Sequence, residues 1–244
     1  MMRRKWMHTA FLLAGLAALG STAALAQVAA AMRDLSRTDV AGSVYGAFSG
    51  TTNSNGTTQS PSNAAGGQLE VRYIRNPIVG FEGAYAFNRA NQAYSTSTLA
   101  VCGVCSESTS WTPVSANAHE VTGAWVASLK IGNLRPFALA GGGILFDVPS
   151  SGQATTTTLI TGCGPGAPGC VVGTISTSTS ATGTTTKGVF VYGAGLDWGL
   201  LPHIGLRLQY RGNLYKAPDL INGFTSTNAF THTSEPMIGI YFRL

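Results

Sequence analysis

The segment Gly193-Ala194-Gly195-Leu196-Asp197-Trp198-Gly199-Leu200-Leu201-Pro202-His203-Ile204-Gly205-Leu206-Arg207-Leu208-Gln209-Tyr210-Arg211 holds two alternating runs around one tight turn. Before the turn, Phe190, Tyr192, Leu196 and Trp198 oppose Lys187, Gly193, Gly195 and Asp197. After it, Ile204, Leu206, Leu208 and Tyr210 oppose Gly205, Arg207, Gln209 and Arg211. A period of two over such runs marks strands with two unlike faces. The charged face is also rich in Gly and Ala, which fill a narrow interior. The apolar face carries Tyr, Trp and Phe near strand ends, where an interfacial girdle sits. The apolar face therefore belongs in lipid and the charged face in a lumen. A sheet in hydrocarbon must also close, because an open edge leaves backbone groups unpaired.

Working outward, the same pattern predicts eight strands, near residues 39–49, 66–75, 79–88, 118–130, 135–147, 187–199, 204–212 and 231–244. Leu69, Val71 and Tyr73 oppose Gln68, Glu70 and Arg72; Val79, Phe81, Tyr85 and Phe87 oppose Gly80, Glu82 and Ala84. Tight turns at Asn76-Pro77, Gly132-Asn133 and Leu201-Pro202-His203 alternate with long Ser/Thr/Gly/Asn-rich connections. Short turns at one end and long loops at the other are the layout of an outer-membrane barrel. The expected fold is all-β: an eight-stranded antiparallel up-and-down transmembrane barrel with short periplasmic turns and long extracellular loops.

Parity sharpens this expectation, since antiparallel partners lie on one face. The register across Asn76-Pro77 that sets Arg72 opposite Glu82 also pairs Tyr73 with Phe81. The register across Pro202 that sets Asp197 opposite Arg207 pairs Trp198 with Leu206. Opposed charges across a ladder favour such registers by ~0.2–1 kcal/mol. Glu70, Lys130, Arg211, Glu235 and Arg243 are expected to extend this lumen charge network.

The chain begins with an export pattern. Arg3-Arg4-Lys5 precedes an uncharged apolar stretch from Thr9 to Ala26, and Ala24-Leu25-Ala26 has the small residues a signal peptidase reads. Residues 1–26 are therefore expected to be a removed signal peptide, 27–38 a leader and 39–244 the barrel. Charged residues are only 10% of the 244, far below the roughly 25% of soluble domains, which excludes a coiled coil or a typical charged cytosolic enzyme. The net charge of +5 falls to +2 without the three basic residues of the signal, so nucleic-acid binding has no basis.

The order of these motifs resembles small outer-membrane β-barrels of the outer-membrane protein A transmembrane-domain type. The resemblance runs roughly from Val40 to Leu244. It rests on Gly67-Gln68-Leu69-Glu70-Val71, Asn76-Pro77-Ile78-Val79-Gly80-Phe81-Glu82-Gly83, Arg135-Pro136-Phe137-Ala138 with Gly141-Gly142-Gly143, Gly193-Ala194-Gly195-Leu196 and Gly205-Leu206-Arg207-Leu208-Gln209-Tyr210-Arg211. The last strand, Ile238-Gly239-Ile240-Tyr241-Phe242-Arg243-Leu244, is similar to the C-terminal signal read by the outer-membrane assembly machinery, although the family usually ends in Phe. A periplasmic peptidoglycan-binding domain after the barrel is not expected, so the resemblance does not imply cell-wall tethering. The resemblance implies a bacterial outer-membrane location, with membrane lipid and the assembly machinery as partners.

Cysteines and histidines are the remaining candidates for chemistry. Cys102, Cys105, Cys163 and Cys170 lie in long connections and allow three disulfide pairings. The local pairs, Cys102 with Cys105 and Cys163 with Cys170, are favoured over a four-thiolate zinc site, because export favours oxidation. His119 beside Glu120, and His232 beside Ser234 and Glu235, are the candidates for barrel-rim catalysis; His203 is isolated. Neither set makes a persuasive catalytic group, so no enzymatic activity, cofactor or metal is expected. An eight-stranded barrel is just wide enough for side chains to fill. The expected protein is a monomer with a plugged lumen that acts in envelope integrity or surface binding through its loops. The alternatives are a narrow small-solute channel and, behind it, a lipid-modifying barrel enzyme.

Overall fold

The computed structural model describes residues 37–54, 56–75, 78–99, 106–150, 153–161, 173–180, 183–221 and 227–244. Eight strands close into an antiparallel ring: β1 (Thr38–Ser49), β4 (Ala64–Ile74), β5 (Val79–Leu99), β6 (Ser106–Ser128), β7 (Leu134–Pro149), β10 (Thr185–Gly199), β11 (Ile204–Lys216) and β12 (Phe230–Arg243). Each pairs with its neighbour in chain order, and β1 pairs with β12 to remove the edge. Four further strands, β2 (Thr52–Ser54), β3 (Thr57–Pro61), β8 (Gln153–Thr161) and β9 (Gly173–Ser180), lie inside the long connections.

The two faces separate as alternation requires. Val44, Leu69, Val71, Trp125, Phe190, Trp198, Ile240 and Phe242 are exposed on the outer wall. Asp39, Glu70, Arg72, Glu82, Asp197, Arg207 and Arg211 are buried inside it. Arg72 stands opposite Glu82 and Tyr73 opposite Phe81. Asp197 stands opposite Arg207 and Trp198 opposite Leu206. The interior is not wholly polar, however. Ala124, Val126, Phe137, Leu139, Val189 and Val191 form an apolar layer, with Tyr215 against it.

Two strands run well past the expected limits. β5 has 21 residues and β6 has 23, whereas a membrane-spanning strand needs about 9–11. The pair continues to Leu99 opposite Ser106, slipping register between Gln92 and Tyr94. Bulges of this kind re-aim a strand, often at a barrel rim. Above the rim the β2–β3 hairpin pairs with β5, and the β8–β9 hairpin pairs with β6. The Ser/Thr runs expected as loops therefore form a six-stranded sheet in the order β2-β3-β5-β6-β8-β9. Thr suits strands, but a run polar on both faces has no apolar period to announce it.

The Gly141-Gly142-Gly143 run lies in β7, where it lets strands approach closely. A Cβ on Gly143 would stand 2.0 Å from the Val121 carbonyl oxygen, and one on Gly141 would stand 2.1 Å from that of Gly123. Gly143→Ala is expected to cost about 1–3 kcal/mol by overpacking, seen as a lower urea midpoint. Gly83→Ala, with nothing within 4 Å of the added carbon, is expected to leave the midpoint in place.

Candidate functional site

The lumen side chains form tiers along the barrel axis. At the short-turn end, four carboxylates meet four guanidiniums. Asp197, fully buried at the hub, accepts from Arg207 Nε at 2.7 Å, Arg135 Nη2 at 2.8 Å and Arg72 Nη1 at 3.2 Å. Arg72 also donates to Glu82 through Nε at 2.9 Å and Nη2 at 2.5 Å. Arg207 Nη1 reaches Glu70 at 2.5 Å. Arg135 binds Asp39, and the half-buried Arg243 reaches Asp39 at 3.4 Å. The Arg72 guanidinium lies 4.0 Å from the centre of the Phe137 ring, a cation–π contact.

Glu70 carries the network upward. It accepts from Gln68 Nε2 at 2.9 Å, and Gln68 Oε1 accepts from Arg211 Nη1 at 2.8 Å. Arg211 also binds Glu120 and donates to Thr122 Oγ1 at 2.8 Å, while Asn213 Nδ2 donates to Glu120 at 2.9 Å. Pairing matters because a charge left alone in such a place costs several kcal/mol. Above lies a small cavity of about 30 Å³ bordered by Glu120, Asp147 and Glu235, enough for about two waters. Asp147 Oδ2 and Glu235 Oε2 have no hydrogen-bond partner there among the described residues.

The long-loop mouth is filled by the β11–β12 connection. Leu220 and Ile221 pack against Tyr94, Val114 and Ala116. The Pro218 carbonyl accepts from Tyr94 Oη and from Gln59 Nε2, both at 3.0 Å. Thr185 Oγ1 donates to the Asp219 carbonyl at 3.0 Å, and Lys187 lies 3.5 Å from the Asp219 carboxylate. This cap depends on tertiary packing between distant segments, and no local sequence pattern signals it.

The candidate residues read from sequence divide as follows. Glu70, Arg72, Glu82, Asp197 and Arg207 meet in the lower tier, Arg211 belongs to the tier above, and Arg243 sits at the rim. Glu235 is buried inside but makes no ion pair among the described residues. Lys130 stands apart: β6 ends at Ser128, and Lys130 lies exposed at the short-turn mouth, so its placement in the lumen network is corrected. Asp39, Arg135 and Glu120 join the network without having been singled out for it. Asp39 and Glu120 follow the inward parity of β1 and β6. Arg135 faces Asp197 across the β7–β10 ladder, which a long connection hides from turn arithmetic.

Cys102, Cys105, Cys163 and Cys170 lie outside the described residues. His119 Nδ1 lies 2.8 Å from Tyr85 Oη on the outer wall, and His232 Nε2 lies 2.8 Å from Tyr192 Oη. Glu120 and Glu235 point inward instead. Neither histidine is thus joined to the carboxylate beside it in sequence. His203 Nδ1 is 3.2 Å from the Arg243 carbonyl oxygen.

The outer-membrane protein β-barrel domain family matches residues 12–233. The chain belongs to this family. It is a bacterial outer-membrane β-barrel embedded in membrane lipid. Solved structures similar to this barrel include Ail, the attachment invasion locus protein of Yersinia pestis, at 15% identity and a TM-score of 0.38, covering 85% of this chain and 99% of that one. Neisserial surface protein A aligns at 10% identity and 0.42, covering 85% and 97%. The outer-membrane protein OprG of Pseudomonas aeruginosa aligns at 10% and 0.41, covering 84% and 94%. No curated protein matches the chain.

Proposed function

We propose that this outer-membrane barrel is a non-enzymatic, plugged monomer that acts in surface binding, with a secondary part in envelope integrity. The observation that carries the reading is the six-stranded extracellular sheet, braced by β5 and β6 as they continue out of the barrel wall. Continuous strands make a rigid mount, whereas free loops of the same composition pay an ordering cost on every encounter. The paired charges below and the cap above support a closed lumen. The exposed Ile238, Ile240 and Phe242 of β12 suit recognition by the assembly machinery.

The platform's composition points to the ligand class. β2, β3, β8 and β9 contain no Asp, Glu, Lys or Arg. Their Thr, Ser, Asn and Gln residues offer hydrogen bonds without net charge, which suits a neutral, hydroxyl-rich surface polymer. The test displays the wild-type barrel and a variant with residues 151–182 replaced by a short turn, then measures binding to neutral polysaccharides and to cells. Binding that is lost in the variant and survives salt above about 0.5 M is expected. A wild-type barrel that binds neither, or a variant that binds as well, contradicts the reading.

The rival reading is a narrow small-solute channel. Its supporting observation is the cavity between network and cap, with the two partnerless carboxylate oxygens facing a water-sized space.

A further inference from the structure

The periplasmic mouth has a chemistry that neither the platform nor the lumen network uses. It opens into a cavity of about 890 Å³, lined by Arg37, Arg75, Lys130, Arg135 and Arg243. These five cations come from five places in the chain: the approach to β1, the end of β4, the end of β6, the start of β7 and the end of β12. Among the described residues, the single side-chain carboxylate in the lining is Asp39, already held by Arg135 and Arg243. Arg37, Arg75 and Lys130 are exposed and have no ion-pair partner among the described residues.

The cavity also has a floor. Arg135 keeps about 10% of its side chain accessible and Arg243 about 34%, and both guanidiniums lie 5.9 Å from the Tyr241 ring centre. Two guanidiniums set by Asp39 and one aromatic ring thus form a fixed base, with three exposed cations around the rim, where Arg37 Nη1 donates to the Arg75 carbonyl at 3.1 Å. A concave surface lined by one sign of charge focuses its field and draws counter-ions. Guanidinium forks match phosphate oxygens in pairs. Leu134, Leu200 and Leu201 add apolar wall beside the cations. The volume falls within the ~300–1,000 Å³ of organic-ligand pockets, far more than a bare phosphate needs.

We propose that the periplasmic mouth of this barrel is a binding site for a phosphate ester carrying an apolar or organic body, held by Arg37, Arg75, Lys130, Arg135 and Arg243. Two sources share this chemistry. One is the head group of an anionic phospholipid of the inner leaflet, whose surface lies at this end of the barrel. The other is a free phosphoester of the periplasm. The site is independent of whether the extracellular sheet binds a polymer.

The experiment uses the refolded full chain in nanodiscs of phosphatidylcholine with and without phosphatidylglycerol. Retained lipid is read by native mass spectrometry, and glycerol 3-phosphate and inorganic phosphate are titrated calorimetrically in the phosphatidylcholine discs. The comparison protein carries Arg37→Gln, Arg75→Gln and Lys130→Gln, three exposed positions outside the lumen ion pairs, with folding verified by the heat-dependent gel shift. Each surface cation is worth about fivefold in affinity for an anionic group, so the triple variant is expected to bind about a hundredfold more weakly. Selective retention of phosphatidylglycerol that the variant loses assigns the site to lipid. Binding of glycerol 3-phosphate that the variant loses assigns it to a free phosphoester. Binding of neither probe, or equal binding by the variant, overturns the proposal.

Discussion

Replacing Asp197 by alanine is expected to destabilise the barrel by about 3–5 kcal/mol, the cost of leaving buried charges without their partner. Among the described residues, Asp197 alone takes hydrogen bonds from Arg72, Arg135 and Arg207, and both Asp197 and Arg207 are fully buried. Without it, Arg72 keeps Glu82, Arg207 keeps Glu70 and Arg135 keeps Asp39, but three guanidiniums then face one another across an empty centre. The measurement is a urea titration in lipid vesicles, followed by fluorescence of Trp125 and Trp198 on the lipid-facing wall. A loss below about 1 kcal/mol, the level of a solvated surface pair, would mean that water reaches these groups.

Charge reversal at the first hairpin has an effect of the same order. Arg72→Glu sets its single carboxylate against those of both Glu82 and Asp197. It should also cost about 3–5 kcal/mol. Adding Glu82→Arg should return part of that loss, with a coupling of about 0.5–3 kcal/mol. Rescue is incomplete because Arg72 does more than pair with Glu82. It also binds Asp197 and lies over Phe137, and an arginine starting from β5 approaches both from another direction. No rescue at all would contradict the register of β4 against β5.

The barrel was legible in the sequence wherever one face had to be apolar. Phe190, Tyr192 and Trp198 alternate with Gly193, Gly195 and Asp197 because lipid and lumen make opposite demands. Turn parity then ties Asp197 to Arg207 without any tertiary information. Legibility ends where both faces meet water. The upper halves of β5 and β6 and the β2–β3 and β8–β9 hairpins are runs of Ser and Thr with no apolar period, so they read as loops. The lower tier was only half visible. Arg135 and Asp39 reach Asp197 and Arg243 across ladders joined through long connections or through barrel closure, where no turn sets the register. Lys130 was misplaced because a strand end is the least certain part of a period-two pattern, and two residues of error move a side chain from the lumen to the mouth. The cap of Leu220 and Ile221 belongs to a non-periodic segment whose burial depends on Tyr94 and Val114 arriving from elsewhere.

In the proposed reading the lumen is closed, by paired charges below and a packed loop above. Conductance of the refolded wild-type barrel in a planar bilayer tests it most directly, with insertion verified by the heat-dependent gel shift of the same preparation. A silent baseline at both low and high salt is expected. Stable steps that scale with salt concentration would contradict it and would make the space between Arg211 and Leu220 part of a conducting path.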